Sequence, residues 1–305
     1  MMELSEFIET ISNELKSELG SDHSVEVEPI LKNNSVIYHG LSIRKEESNM
    51  APAIYLEPYY DTYAYHGTNE ALNDIISRII RLYNETENLP PCINEAEKLA
   101  EYEHARDRIM YKLINTQKNK TLLEQIPNIS YLDLSIVFYL HLDENTDGRY
   151  TAMIHNSHKE MWGVSDETLY HQAMANMQKT FPACIKNLLQ VIGEFVHLAE
   201  ITSEIEIEPQ IYILSNRDGI NGAGAMLYEN VLEEFSEKNH CDLIILPSSV
   251  HETLLLLADE DTDYQELELQ EMVKYINLTE VSAEDRLSDH VYRYNRRIKK
   301  LCIAV

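Results

Sequence analysis

The sequence predicts an α+β protein, in which a small N-terminal αβββα unit precedes a larger domain with a mixed sheet and several helices. Apolar residues recur at helical spacing in several segments, which predicts amphipathic helices. Short runs rich in β-branched and aromatic residues predict strands. Strands and helices alternate only in the later half of the chain, so a mixed sheet fits better than a doubly wound parallel sheet.

The predicted N-terminal unit spans residues 1–88. Apolar positions between Leu4 and Leu19 fall on one face of a helix, and Gly20 is placed to end it. A turn at Asn33-Asn34 separates two runs that predict a hairpin. The elements predicted for this unit are a helix ending at residue 19, strands at 25–31, 35–43 and 53–57, and a helix that begins after the N-cap Thr68 and ends near Glu85.

The larger domain is predicted over residues 89–305. Its boundary rests on the polar segment 84–92 and on Pro90-Pro91, because prolines cannot continue a helix. Ser165 predicts an N-cap, since carboxylates follow it in the first turn and suit the helix dipole. The remaining predicted elements are strands at 108–114, 131–142, 150–155, 210–214, 242–246 and 250–257, and helices over 166–181, 185–196, 227–235 and 269–276.

The charge balance is the most unusual property of the chain. Its 52 acidic and 25 basic residues give a formal net charge of −27. Such a charge opposes nucleic acid and anionic lipid, so we expect neither direct nucleic-acid binding nor membrane binding. A basic protein is the expected partner, and one version of this hypothesis is a DNA mimic whose carboxylates imitate phosphates. The alternative explanation is solubility alone, since surface Asp and Glu keep a protein dispersed.

The cysteines and apolar runs predict a cytoplasmic protein. Cys92, Cys184, Cys241 and Cys302 lie far apart, so neither a zinc motif nor a disulfide framework is indicated. The first residues are acidic, whereas a secretory signal has a basic start. The longest apolar run, at 254–258, is far shorter than the roughly 18 residues of a membrane span.

The segment 247–252 is the strongest candidate for chemistry. It places Ser248, Ser249, His251 and Glu252 between two predicted strands, where loops often carry active sites. His251 is the candidate general base, with either serine as nucleophile. The alternative is a turn with hydroxyl-capped backbone groups, because neighbours in a strand face opposite sides and no GxSxG elbow is present.

A second candidate region and a group of tyrosines complete the predicted sites. Asp289 and His290 are candidates to join the catalytic set. Tyrosine combines a large apolar ring with a polar tip, which suits a contact surface, although the same residues can cover one face of a sheet. The candidate binding residues are Tyr59, Tyr60, Tyr63 and Tyr65.

Three further patterns favour structural interpretations. His155 and His158 are spaced unlike an HExxH motif, so no metal site is predicted. The glycines at 219–224 match neither GxGxxG nor a P-loop, and close helix packing explains them better than nucleotide binding. The basic residues at 293–300 are interpreted as a solvated face near a helix end. The sequence identifies no cofactor and no oligomeric state.

Several short strings resemble a family of proteins with a domain of unknown function, found in anaerobic Gram-positive, clostridial-type gut bacteria. The resemblance spans nearly the whole chain and implies a bacterial, cytosolic setting. It implies no activity, cofactor or catalytic residue. The strings that carry it are Ala53-Ile54-Tyr55-Leu56, Tyr131-Leu132-Asp133-Leu134, Trp162-Gly163-Val164-Ser165, Pro247-Ser248-Ser249-Val250-His251-Glu252 and Leu287-Ser288-Asp289-His290-Val291-Tyr292.

Two functional hypotheses from different classes follow. The first is a cytoplasmic protein that binds another macromolecule through its acidic surface and its tyrosines. The second is a hydrolase or transferase centred on 247–252. A structural interpretation, in which the distinctive strings determine turns and packing, stands beside both. The geometry around His251 discriminates among them, because catalysis requires a polar neighbour and a cleft shared with residues 289–290.

Overall fold

The computed structural model describes residues 2–45, 53–86, 96–145, 148–196, 210–258 and 265–305. Contacts between Cα atoms divide the chain into two compact units, Met1–Glu95 and Ala96–Val305, called unit 1 and unit 2 below. The boundary expected near Pro90-Pro91 lies outside the described residues.

Unit 1 is a three-stranded antiparallel sheet with helices. Strand order in the sheet is β1-β2-β3, and β1 lies at one edge. The helix at 4–19, the hairpin and the cap at Thr68 are confirmed, because the hydroxyl of Thr68 accepts a hydrogen bond from the N–H of Ala71. The described elements are α1 (Leu4–Leu19), β1 (His23–Leu31), a 3-10 turn (Asn33–Ser35), β2 (Ile37–Lys45), β3 (Ile54–Tyr55), α2 (Glu57–His66) and α3 (Asn69–Thr86).

The core of unit 1 lies between α1, the sheet and α3. Phe7, Ile11 and Leu15 follow one another at helical spacing, and all three are fully buried. They pack in one cluster with strand residues such as Leu41 and with α3 residues such as Ile79. Each such side chain contributes about 1.5 to 3 kcal/mol by leaving water, so this stripe fixes α1 on the sheet.

The predicted third strand at 53–57 is wrong beyond Ile54–Tyr55, because Glu57 already begins helix α2. Pro58 lies in the first turn of α2, where its missing N–H breaks no helical hydrogen bond. Gly67 ends the helix at a φ of 64°, a conformation that glycine adopts without strain. This segment carries no helical signal in its sequence, because polar residues interrupt any apolar stripe.

Unit 2 contains two antiparallel sheets. In the described residues one sheet has the order β13-β12-β10-β11-β9-β8, and the other has β6 paired with β4, β5 and β7. The helices are α4 (Tyr102–Ala105), α5 (Lys120–Leu123), α6 (Asn156–Trp162), α7 (Asp166–Thr180), α8 (Leu188–Val196), α9 (Val231–Asn239) and α10 (Glu266–Thr279). The strands are β4 (Ile109–Asn115), β5 (Asn128–Tyr131), β6 (Leu134–Asn145), β7 (Gly148–Met153), β8 (Ala183–Asn187), β9 (Ile211–Asn216), β10 (Asp242–Leu246), β11 (Thr253–Ala258), β12 (Tyr292–Asn295) and β13 (Lys300–Ile303).

The α+β class is confirmed, but the sheets are not of the predicted mixed kind. Every strand pairing among the described residues of unit 2 is antiparallel. The N-cap at Ser165 is confirmed, since its hydroxyl accepts the N–H of Thr168 at 3.2 Å. That helix ends at Thr180 with Phe181 as its C-cap, and the following Pro182 cannot continue it.

Three other predictions for unit 2 are wrong in detail. The strand expected at 131–142 is two strands, because Leu132 and Asp133 form a tight turn between β5 and β6. Ile185 lies in β8 and pairs with Leu214, so the helix expected from residue 185 begins only at Leu188. The basic residues at 293–300 lie on the β12–β13 hairpin and not near a helix end.

The glycine-rich segment after β9 packs closely, as the structural interpretation of its sequence expects. It forms a 3-10 turn at Gly222–Leu227. A Cβ built on Gly222 would lie 2.0 Å from the hydroxyl of Ser215 and 2.5 Å from the carbonyl oxygen of His251. Only glycine therefore fits between β9 and the segment that precedes β11.

None of the helices in the described parts of the chain combines the length and the apolar character needed to cross a bilayer.

Replacing Gly222 by Ala should destabilise unit 2 by about 3 kcal/mol, because a methyl group would overlap backbone atoms that have no room to move. Urea unfolding followed by circular dichroism measures this change. Gly163→Ala is the matched control: its φ is 65° but nothing lies near its Cβ, so only the backbone strain of about 1 kcal/mol is expected. Equal losses in the two variants would contradict the close packing inferred at Gly222.

Candidate functional site

The two distinctive strings of unit 2 lie side by side. The N–H of Leu287 donates to the carbonyl oxygen of Ser248 at 3.0 Å, and the N–H of Ser288 donates to that of Pro247 at 2.9 Å. Ser249 and Arg286 form an isolated antiparallel bridge. The strings leave β10 and enter β12, which are neighbours in the six-stranded sheet, and this adjacency brings them together.

His251 is held on both of its ring nitrogens. The backbone N–H of Asn221 donates to Nδ1 at 3.3 Å, so Nδ1 acts as the acceptor. Nε2 then carries the proton and donates to Asp285 at 3.2 Å. Because both nitrogens are engaged, the imidazole of His251 positions loops and has no nitrogen left for a substrate.

The other candidates in 247–252 serve the turn. The hydroxyl of Ser249 accepts the backbone N–H of His251 at 3.1 Å, which is a local side-chain cap of the backbone. Asp285, and not the exposed neighbour Glu252, orients the ring of His251. Ser248 is half-buried, and its carbonyl oxygen accepts the N–H of Leu287. A serine nucleophile would need a hydrogen bond from its hydroxyl to a ring nitrogen of His251. Among the described residues those nitrogens bond to Asn221 and Asp285 instead.

In the pair formed by His251 and Asp285, the pKa of the Asp285 carboxyl is shifted. The hydrogen bond from His251 holds the pKa of its carboxyl below the ordinary value, and a second hydrogen bond from the hydroxyl of Ser282 acts in the same direction. Partial burial opposes this shift. Asp285 is therefore ionised across the neutral range and fixes the proton of His251 on Nε2.

A second polar cluster surrounds Asp133, which the sequence did not single out as a site residue. One oxygen, Oδ2, accepts the hydroxyl of Ser288 at 2.7 Å and Nδ1 of His290 at 3.0 Å. The other oxygen, Oδ1, accepts the hydroxyl of Tyr292 at 2.5 Å. The carboxylate is 15% exposed. Three side chains from one short segment thus converge on one carboxylate more than 150 positions away.

A strained turn presents Asp133 to this cluster. The preceding residue, Leu132, has a φ of 56°, a left-handed conformation that costs a leucine roughly 1 to 3 kcal/mol. The backbone of Asp133 is fixed from the other side, since its carbonyl oxygen accepts the N–H of Thr116 at 3.0 Å. In the sequence, the string Tyr131–Leu134 marks this position, but its alternation of apolar residues predicts a continuous strand and not a turn.

Tyr292 enters the cluster as a neutral phenol. Burial raises the pKa of its hydroxyl well above the ordinary value, and the negative charge of Asp133 raises it further. The ring is fully buried, so the hydroxyl has a fixed position. Tyr292 therefore keeps its proton and donates a hydrogen bond to Asp133.

His290 has one ring nitrogen committed and one open. Because a carboxylate only accepts hydrogen bonds, Nδ1 of His290 is the donor in its bond to Asp133. Nε2 then holds a lone pair, and it makes no hydrogen bond to any residue that the structure describes. The side chain is 42% exposed, so the imidazole ring is open to solvent on part of its surface.

Ser288 and Asp289 support His290 in different ways. The hydroxyl of Ser288 accepts the backbone N–H of His290 at 3.0 Å and lies 3.5 Å from Nδ1. At 1% exposure, Ser288 is closed to a substrate. Asp289 takes no part in the cluster, because Asn277 donates to it at 2.7 Å and Lys118 pairs with it at 3.8 Å. Ser288 and Asp289 therefore position the segment.

The four tyrosines proposed for binding lie on α2 in unit 1. Three of them pack against other side chains of that unit. Tyr63 is buried against Phe7, and Tyr60 also contacts that ring while its hydroxyl donates to the carbonyl oxygen of Met2. Tyr59 is half-buried, with Arg78 over its ring. Tyr65 alone among the four is strongly exposed, at 86%.

The remaining histidine pair caps a helix. The backbone N–H of His155 donates to Nδ1 of His158, and the two side chains form a capping box at the start of α6. The ring of His158 stacks on Trp162, whose indole N–H donates to the carbonyl oxygen of Leu99 at 2.9 Å. Within the described ranges no group of three or more His, Cys, Asp or Glu side chains could hold a metal ion.

The chain belongs to the family of unknown function DUF5688, whose model matches residues 4–296. This match confirms membership of a family of unknown function over nearly the whole chain. No curated protein and no solved structure matches the chain. The family match assigns no functional role to any residue. A function has to be inferred from the geometry around Asp133 and Asp285.

Acid should weaken unit 2 through Asp285. Its pKa is lowered in the folded state, so its contribution to stability is complete above the ordinary carboxyl pKa and is lost as the pH falls through the folded value. Asp285→Asn should therefore lower the unfolding free energy at pH 7, and the difference from the parent protein should shrink towards pH 3. Urea unfolding at a series of pH values measures both effects.

Glu252→Gln is the matched control for this prediction. Glu252 is exposed and adjacent in sequence to His251, so its removal should change the unfolding free energy little at any pH. A constant difference between Asp285→Asn and the parent protein from pH 7 to pH 3 would contradict the role given to the Asp285 carboxylate.

Proposed function

We propose that this member of the DUF5688 family is a hydrolase or transferase in which His290, held by Asp133, acts as the general base. The observation that supports this proposal is the partly exposed side chain of His290, whose Nδ1 is fixed on a carboxylate while its Nε2 makes no hydrogen bond to a described residue. Between the two Asp–His pairs of unit 2, only this one leaves a nitrogen able to accept a proton from a reacting group.

The chemistry follows from the proton positions. Nε2 can take a proton from a water molecule or a substrate hydroxyl, which makes that oxygen a better nucleophile. The Asp133 carboxylate then stabilises the imidazolium that forms, as the aspartate of a catalytic triad does. Because Ser288 is buried and donates to Asp133, the proposed nucleophile comes from water or from the substrate itself.

The proposed general base lies in the string 287–292, which is next to the segment 247–252. Ser248, Ser249 and His251 become the supporting layer, since their hydrogen bonds hold the segment 285–288 in place. The charge favours a neutral or cationic substrate, because the Asp133 carboxylate lies beside His290 and the chain as a whole is strongly acidic.

Binding of a basic macromolecule is a second candidate function. It is supported by the net charge of −27 and by exposed carboxylates on α1 and β1 of unit 1. The tyrosines of α2 give it little support, since packing occupies most of them. The DNA-mimic version of this candidate would require aligned carboxylates that match phosphate spacing.

The cellular setting is part of the proposal. We place the protein in the cytoplasm of an anaerobic Gram-positive bacterium, on the resemblance of its sequence strings and on its cysteines. Cys184, Cys241 and Cys302 are all thiols in the structure, which suits a reducing compartment.

His290→Gln should reduce hydrolysis by about 100-fold or more, the usual effect of losing a general base. The probes are neutral and cationic p-nitrophenyl esters and aminoacyl p-nitroanilides, followed by absorbance at neutral pH. Asp133→Asn should cause a similar loss, because a neutral amide can turn its NH2 towards Nδ1 of His290, which favours the wrong tautomer, and has no charge to stabilise the imidazolium. A water nucleophile also predicts that product appears without an initial burst.

His251→Gln is the discriminating control, since His251 lies in the other Asp–His pair and has no open nitrogen. It should keep most of the activity if circular dichroism shows that it folds. Loss of activity in His251→Gln together with normal activity in His290→Gln would return the catalytic role to 247–252. A parent protein that hydrolyses none of these probes faster than buffer would refute hydrolysis of these bonds.

A further inference from the structure

A groove of about 500 Å³ runs along unit 1 between α1 and the edge of the sheet. Its α1 side includes Ile8 and Ser12, which lie one helical turn apart beside the buried stripe. Its other side is strand β1 around Val25 and Val27. The groove thus follows a strand on one side and a helix on the other.

The main chain of β1 is open towards this groove. Among the residues that the structure describes, β1 pairs only with β2. The N–H of Lys32 donates to the carbonyl oxygen of Val36, which shows that even-numbered residues of this hairpin exchange hydrogen bonds with β2. The backbone groups of Val25 and Val27 therefore face outward. Pro29 belongs to the same outward set, where a missing N–H breaks no bond within the sheet.

The rim of the groove is acidic. Glu9 on α1 and Glu26 and Glu28 on β1 are exposed and line it, and Lys16 is the cation among the lining residues. Glu26 is only partly compensated, because its contact with Arg44 is 3.9 Å long and both side chains are about half exposed. An anionic or acidic occupant would be repelled from this edge, whereas a basic one is attracted.

We propose that an extended, basic peptide segment of a partner protein binds in this groove by adding a strand to β1. Main-chain hydrogen bonds to Val25 and Val27 supply affinity, and alternate side chains of the peptide supply specificity. This inference deepens the second candidate function, binding of a basic protein, and does not depend on His290.

The position of the side chains predicts the sequence pattern of the peptide. Residues opposite Val25 and Val27 share their face of the sheet, which is the core face covered by α1, so small apolar side chains fit there. Residues opposite Glu26 and Glu28 share the exposed carboxylate face, so lysine or arginine fits there. The expected ligand therefore alternates apolar and basic residues.

The probe is an acetylated and amidated heptapeptide of alternating lysine and valine, titrated into the full chain by calorimetry. Glu26→Lys together with Glu28→Lys should weaken its binding by about tenfold or more, because both rim carboxylates are reversed. Glu14→Lys together with Glu18→Lys changes the net charge equally at exposed positions of α1 outside the groove lining, and it should change the affinity less than about threefold.

Two isomers of the peptide test the main-chain pairing. One carries N-methyl groups on the lysine amides and the other on the valine amides, so their charge is the same. In an added strand only alternate residues face the neighbour. One isomer should therefore lose about tenfold or more in affinity, and the other should bind like the unmodified peptide.

Four results would overturn the proposal. The first is equal weakening by the two pairs of charge reversals, which would mean unspecific attraction to an acidic chain. The second is equal binding of the two methylated isomers. The third is a dimer of the parent protein that the Glu26 and Glu28 reversals abolish, which would make a second copy the occupant of the edge. The fourth is no measurable binding of the peptide. Because His290 lies in unit 2 and the peptide probe reports on β1 of unit 1, loss of hydrolysis in His290→Gln bears only on the acid–base proposal.

Discussion

The carboxylate of Asp133 is the interaction on which the arrangement of unit 2 depends. It comes from the turn of one antiparallel sheet and accepts hydrogen bonds from Ser288, His290 and Tyr292, which lead into the other sheet. Burying a carboxylate costs free energy unless hydrogen bonds satisfy it. These bonds therefore hold the two sheets of unit 2 in one arrangement. The same bonds compensate the left-handed conformation of Leu132 and leave the outer nitrogen of His290 unoccupied.

The contrast between the two Asp–His pairs shows how local context decides a histidine's role. His251 and His290 both meet a carboxylate, and they lie after β10 and before β12, which are neighbouring strands. The ring of His251 is also tied to the backbone of Asn221, whereas His290 is tied on one side only. The difference is a single backbone N–H, which is set by the close packing of the glycine-rich turn against β9.

Helical stripes were predictable from the sequence because the signal is local. Phe7, Ile11 and Leu15, or Leu169, Ala173 and Met177, identify their helices by spacing alone. The helix α2 was missed because its residues carry no apolar stripe, and the β5–β6 turn was missed because leucine rarely adopts a positive φ. His290 was a candidate by residue type. Its partner Asp133 could not be, since the pairing depends on how distant sheet segments meet.

Trp162 gives the two units different spectroscopic behaviour. It is the single tryptophan of the chain, and it lies in unit 2 against His158. Its emission therefore reports the integrity of unit 2, the unit that contains it. Comparison of tryptophan fluorescence with far-ultraviolet ellipticity would thus reveal whether the chain melts in one cooperative step or in two.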